Sequence, residues 1–146
     1  MIASRKAVGQ PKGRPTQDDY QMLAAFRLTL RRYHGFSELA ALQEGLKPQQ
    51  HQALLSIKAL SAKTPPSVGD VAEQLLIRPH SAVELINRLG RMGLVKRLKD
   101  PDDGRKVRIA LTALAEEKLA VLSATHLNEL NSLRPLLMKL LRNIQP

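Results

Sequence analysis

Apolar positions recur at helical spacing through the first part of the chain and switch to alternation only once. Leu23, Phe26, Leu30 and Tyr33 follow at steps of three and four, the repeat of one helix face. Asp18 and Asp19 suit the positive end of its dipole. This first helix is expected to run to about Leu42 and to break at Gly45. A second opens at Lys47-Pro48, because a proline at the first helical position lacks only an N–H that would have no partner there. Leu54, Leu55, Ile57 and Leu60 form its buried face, Gln49, Gln50, His51 and Gln52 its polar face, and Thr64-Pro65-Pro66 ends it.

Ser67, with Asp70 three residues on, makes a short capping box for a third helix with Val71, Ala72, Leu75 and Leu76 facing inward. Ile77-Arg78 leads to Pro79 and a fourth helix reaching about Met92. Its apolar side holds Ala82, Val83, Ile86 and Leu89, while His80, Ser81, Glu84, Asn87, Arg88 and Arg91 fall on the other. After Gly93 the period becomes two. Leu94 to Leu98 reads as a strand, Pro101 to Gly104 as a turn, and Lys106 to Leu111 as the return, with Val107, Ile109 and Leu111 alternating inward. Thr112 can cap a fifth helix lasting to about Asn131. Glu116 and Glu117 complement its dipole, and Leu114, Leu119, Leu122 and Leu127 supply apolar surface. A last helix is expected to open at Leu133-Arg134-Pro135 and to carry Leu136, Leu137, Leu140, Leu141 and Ile144.

The expected fold is therefore mainly α with a small β wing: a winged helix-turn-helix core plus N- and C-terminal dimerisation helices. The boundaries that follow are a flexible basic arm over 1–17, a helix contributing to dimerisation over 18–45, the winged helix-turn-helix over 46–112 and the dimerisation helices over 113–146.

Charge changes the picture from architecture to ligand. Of the formal net charge of +10, about half falls on residues 78–108, which hold nine Lys or Arg against four acids. Residues 1–15 add Arg5, Lys6, Lys12 and Arg14 with no acid. Basic side chains gathered on one element gain affinity for duplex DNA by releasing condensed counterions. A helix polar on one side and basic toward its end can lie in a major groove about 12 Å wide. An ordinary amphipathic surface helix is the alternative for that element, and a plain polar turn for the hairpin tip. Arg105 is suited to a narrow minor groove, and Asp103 is expected to pair with and orient it. The candidate DNA-binding residues are Ser67, Arg78, His80, Ser81, Glu84, Asn87, Arg88, Arg91, Arg97, Asp103, Arg105 and Lys106.

Other classes fit poorly. His34, His51, His80 and His126 include no pair three or four apart, so no helix-borne metal site is expected, nor any cofactor. Neither a phosphate-binding glycine loop nor a nucleophile-elbow serine is present, and an enzyme is not expected. With no cysteine there is neither a disulfide framework nor a thiol switch. Apolar runs fall short of the roughly 20 residues of a membrane span, and Met1 to Pro15 lacks a signal-peptide core, so a cytoplasmic location without membrane contact is expected. Length allows one domain with a real core but no second, catalytic one.

The chain resembles the MarR family of winged-helix transcription regulators. Asp103-Gly104-Arg105, followed after five residues by Leu111-Thr112, is similar to the family's wing signature, and Gly93-Leu94-Val95 with Arg97 to its helix-to-wing junction. Leu46-Lys47-Pro48-Gln49-Gln50, Val68-Gly69-Asp70-Val71-Ala72 and His80-Ser81-Ala82-Val83 resemble its second, third and fourth helices. The resemblance spans about residues 18–146. It implies an obligate homodimer on pseudo-palindromic double-stranded DNA, commonly a repressor, often released by a small phenolic or lipophilic effector. The family's ligand position points to Tyr33, His34 and His51. Gly104 departs from the pattern, since many members carry another arginine there. Only two Tyr, two Phe and no Trp are available to line a pocket, which keeps a ligand-free regulator open. A sequence-neutral architectural DNA binder is the alternative function.

Overall fold

The computed structural model describes residues 13–144, so the expectation of a flexible basic arm falls largely outside the described residues. Seven elements follow in order: α1 (Gln17–Gln43), α2 (Pro48–Leu60), α3 (Val68–Leu75), α4 (Pro79–Arg91), β1 (Val95–Lys99), β2 (Val107–Leu111) and α5 (Ala113–Arg142).

Side chains close the helix ends. Thr16 accepts the Asp19 N–H, and the Asp19 carboxylate takes the Thr16 N–H at 2.7 Å, a reciprocal box that holds the carboxyl below its ordinary range. Ser67 and Asp70 repeat the arrangement at α3. At α2 the Gln50 Oε1 accepts the Lys47 N–H at 2.9 Å. Gly93 adopts φ +73°, which an L side chain reaches only under strain, and this turns the chain from α4 into β1. β1 and β2 pair antiparallel, with Val95 opposite Leu111 and Lys99 opposite Val107. The Ile109 N–H also reaches the Pro66 carbonyl at 2.8 Å, which fastens the hairpin to the α2–α3 connection.

The core gathers Leu54 and Ile57 of α2, Val71 of α3, Ile86 and Leu89 of α4 and Ile109 of β2, all essentially inaccessible. Full burial of each large aliphatic side chain contributes about 1.5–3 kcal/mol, enough to seat three short helices and a hairpin that could not stand alone. Leu119 and Leu122 of α5 join the same core, so α5 is rooted in the head before it runs past it alongside α1.

Several expectations are corrected. α2 is central, touching α1, α3, α4, α5 and β2, so it is buried on more than one side. Gln50 and His51 lie inside rather than on a polar face, and Leu55 lies outside. Leu76 does not face inward. It closes α3 in a left-handed conformation, φ 55°, and is 76% exposed. Leu23 and Leu30 are exposed because the core takes only Ala40 and Ala41 from α1, and Val107 is exposed because it borders the hairpin tip. The C-terminal segment is one helix, not two, with Pro135 inside it. Proline removes one N–H and frees the carbonyl four residues back, and that residue, Asn131, is solvent-exposed, so water can take the freed bond.

Candidate nucleic-acid interface

α3 and α4 form the helix-turn-helix, and α4 shows the polarity expected of its second helix. Ala82, Leu85, Ile86 and Leu89 are buried, while His80, Glu84, Arg88 and Arg91 are exposed. Val83 is exposed among them, contrary to its expected place on the apolar side. Arg78 stands exposed at the N-cap of α4, and Ser81 and Asn87 are half-buried at the margins of its outer face. Arg97, on β1, donates through Nη2 to the Asn87 side-chain carbonyl, so these two candidate residues brace α4 against the wing. Ser67 is occupied in capping α3.

At the tip of the wing Asp103, Arg105 and Lys106 are all exposed. The Asp103 carboxylate does not pair with the Arg105 guanidinium. It accepts the Arg105 backbone N–H at 3.0 Å, because in a tight turn the main-chain donor two residues on lies closer than the end of a long side chain.

The carboxylate that does hold an arginine is Asp100, which sequence reasoning missed. Buried at the base of the turn, it takes the Arg108 Nε at 2.9 Å and Nη2 at 2.8 Å on Oδ2, and the Asp102 N–H at 2.9 Å on Oδ1. The backbone N–H of Asp102, then Arg108, hold its carboxyl below the usual range. Arg108 also donates to the Pro65 carbonyl at 3.3 Å and lies 3.9 Å from Asp70. One guanidinium thus joins the wing, the α2–α3 connection and the start of α3. Arg108 stands opposite Leu98 in the hairpin register, two residues before Asp100, and that register is the signal that could have found the pair.

Among the described residues the ion pairs are Arg108 with Asp100 and Asp70, and Lys58 with Glu116. None involves Arg88, Arg91, Lys96, Lys99, Arg105 or Lys106, so these cations of the α4 face and the wing meet no carboxylate in an ion pair among the described residues. Such a surface has the charge to hold phosphates, and His80, Glu84 and Arg88 stand exposed beside it.

A second feature lies between the head and the long helices. A cavity of about 590 Å³ opens where α1, α2 and α5 meet, and Tyr33, His34 and His51 line it together. Its wall also contains His126, which lies 75 positions from His51 in the chain and for which no local pattern gave a signal. His126 Nδ1 lies 2.6 Å from the Leu122 carbonyl and donates to it, and its Nε2 lies 2.8 Å from the Ser37 hydroxyl. The His51 ring centroid is 4.9 Å from that of His126, and its buried Nδ1 has no partner. Burial, and secondarily the neighbouring His126, push the His51 imidazole below its ordinary pKa. Desolvation, then Glu129, raise the Tyr33 hydroxyl above its usual value. No group of three metal-ligating side chains occurs among the described residues. No helix among them is long and apolar enough to cross a membrane.

Residues 44–106 match a model of the MarR family. No curated protein matches the sequence. Solved structures with the same fold include an S. aureus MepR mutant bound to an oligodeoxyribonucleotide, 20% identical, covering 86% of this chain and 98% of that one with a TM-score of 0.67. A MarR family protein from Bacillus stearothermophilus is 18% identical over 83% of each chain, TM-score 0.72. AbsC, a MarR family transcriptional regulator from Streptomyces coelicolor, is 16% identical over 83% of this chain and 81% of its own, TM-score 0.67. The α2-to-wing segment is thus similar to the MarR family, inside a fold that α1 to α5 share with solved structures of MarR family proteins.

Proposed function

We propose that the protein is a homodimeric repressor that binds a pseudo-palindromic operator through α4 and the wing and is released by a small lipophilic ligand in the cavity between α1, α2 and α5. The observation that carries the reading is the outer face of α4 beside a wing whose exposed cations Lys96, Lys99, Arg105 and Lys106 enter none of the ion pairs among the described residues. In it Arg78, His80, Ser81, Glu84, Arg88 and Arg91 meet the major groove, Arg97 and Asn87 fix the angle between α4 and the wing, and Arg105 and Lys106 reach the minor groove and its phosphates. Ser67 and Asp103 act through the backbone they cap. Dimerisation is supported by α1 and α5, which leave Leu23, Leu30, Leu127, Leu136 and Leu141 exposed on one chain. A second copy is the economical cover for two such helices.

Selection from a random duplex pool should enrich two related half-sites about one helical turn apart, the spacing a two-fold dimer imposes. In fluorescence anisotropy, Arg88→Ala should cost about 1–3 kcal/mol if Arg88 reads a guanine, and should relax specificity at one position. Arg105→Ala should weaken binding more evenly, lose most on A·T-rich flanks and lower the log-log salt slope by about one unit. Equal affinity for operator and scrambled duplexes would instead identify a sequence-neutral architectural protein. Leu136→Glu with Leu141→Glu should convert a sedimenting dimer to monomer, and an unchanged dimer would remove α5 from the interface.

A further inference from the structure

The charge of the cavity wall restricts what the proposed ligand can be. Among the lining residues Glu38 is the only Asp or Glu, and there is no Lys or Arg. The three histidines there are not permanent cations as a Lys or Arg would be. His126 Nδ1 donates to a carbonyl, and its Nε2 is taken by the Ser37 hydroxyl. The His51 ring is 2% exposed, faces His126 and has a buried nitrogen with no partner. A proton added to it would have no acceptor at that nitrogen and would sit beside a second imidazole. Around these groups the wall is apolar, with Pro48, Leu55, Leu127 and Leu130.

An anion entering such a space exchanges hydration for apolar contacts with no cation to meet it, and it approaches Glu38. That exchange costs several kcal/mol unless a counter-charge compensates. An uncharged lipophile keeps the full gain of burial, and a lipophilic cation meets the Glu38 carboxylate on a wall that also holds Tyr33. We propose that this cavity accepts lipophilic molecules of zero or positive charge and rejects lipophilic carboxylates. The proposal rests on the ligand-controlled reading above and narrows its ligand class: an aromatic acid, ionised at neutral pH, is the wrong effector.

Three indoles of similar body test it: tryptamine as cation, 3-methylindole as neutral molecule and indole-3-acetate as anion. The chain has no Trp, so indole fluorescence reports binding to the full protein directly. Tryptamine and 3-methylindole should each bind at least about tenfold more tightly than indole-3-acetate, the factor that 1.4 kcal/mol of unrecovered desolvation produces. Glu38→Gln should narrow the difference between tryptamine and 3-methylindole. Gln52→Arg, at an exposed position on the cavity wall, should create affinity for indole-3-acetate.

Indole-3-acetate binding the native protein as tightly as 3-methylindole would overturn the charge rule. If it also released operator DNA, the ligand-controlled reading would survive that loss. Conversely, 3-methylindole that binds as expected but leaves the protein–operator complex intact would sustain the charge rule and defeat the release reading. No binding by tryptamine or 3-methylindole would overturn the proposal outright.

Discussion

Leu76 is the residue where local strain is most visible. It is the one non-glycine position with positive φ among the described residues, and most of its side chain is in solvent. A left-handed conformation costs an L residue about 1–2 kcal/mol, while glycine loses more backbone freedom on folding. Leu76→Gly should therefore stabilise the fold by a net ~0.5–1 kcal/mol, read as a higher urea midpoint at unchanged slope. Asp100 is the opposite case, a residue whose partners it must keep. Asp100→Asn retains a side-chain oxygen for the Asp102 N–H but loses the charge that holds Arg108. Operator affinity should fall with the salt slope unchanged, because no phosphate contact is removed, and the Asp102 and Asp103 amides should exchange faster. A smaller salt slope would make Asp100 part of the contact surface rather than its support.

At the scale of elements, α5 and the wing show how a strong local signal can mislead or inform. Pro135 marks a helix boundary in sequence, yet α5 continues through it, because stopping a helix also requires that the following residues gain something by leaving. Here Leu136 to Leu141 stay on the same helix and bring Leu140 back into a buried position. Pro135→Ala should restore one backbone hydrogen bond and raise stability by about 1–3 kcal/mol, measured by thermal unfolding. A loss of stability would mean that the bend itself is needed for packing. In the hairpin, by contrast, alternation located both strands to within a residue. It did not reveal that β2 also bonds the Pro66 carbonyl, which is what keeps an otherwise isolated two-stranded ribbon in place.

For the whole molecule, the junction of α1, α2 and α5 links the reading head to the long helices, and it carries a buried imidazole. The His51 pKa lies below its ordinary value in the folded protein, so the unfolded chain takes up a proton first as pH falls. The stability from keeping this ring neutral is complete above the unfolded value of about 6.5 and is lost as pH drops below it. His126 of α5 faces His51, with Tyr33 and Glu38 of α1 on the same cavity wall. Tm should decline between about pH 7 and 5, and His51→Phe should flatten that decline. An identical slope in the variant would place the titration on another group.

The order of elements up to the start of α5, the helix caps at Ser67 and Thr112, most of the outer face of α4 and the basic wing were legible in the sequence. Each rests on spacing or on interactions among residues a few positions apart: a 3.6-residue or two-residue repeat, a side chain closing its own helix end, a charge count over one segment. What the sequence could not decide is which of several apolar or polar faces meets another element. α2 looks amphipathic by itself, yet it buries Gln50 and His51 because five neighbours surround it. The same holds for the meeting of His51 with His126 and Ser37, the clamp of Asp100 on Arg108, and the exposure of Leu23, Leu30 and Leu127. The clamp follows from the hairpin register and the others from how the long helices meet the head, which local periodicity does not encode, because one helical face can satisfy the same repeat against a core, a cavity or a second chain.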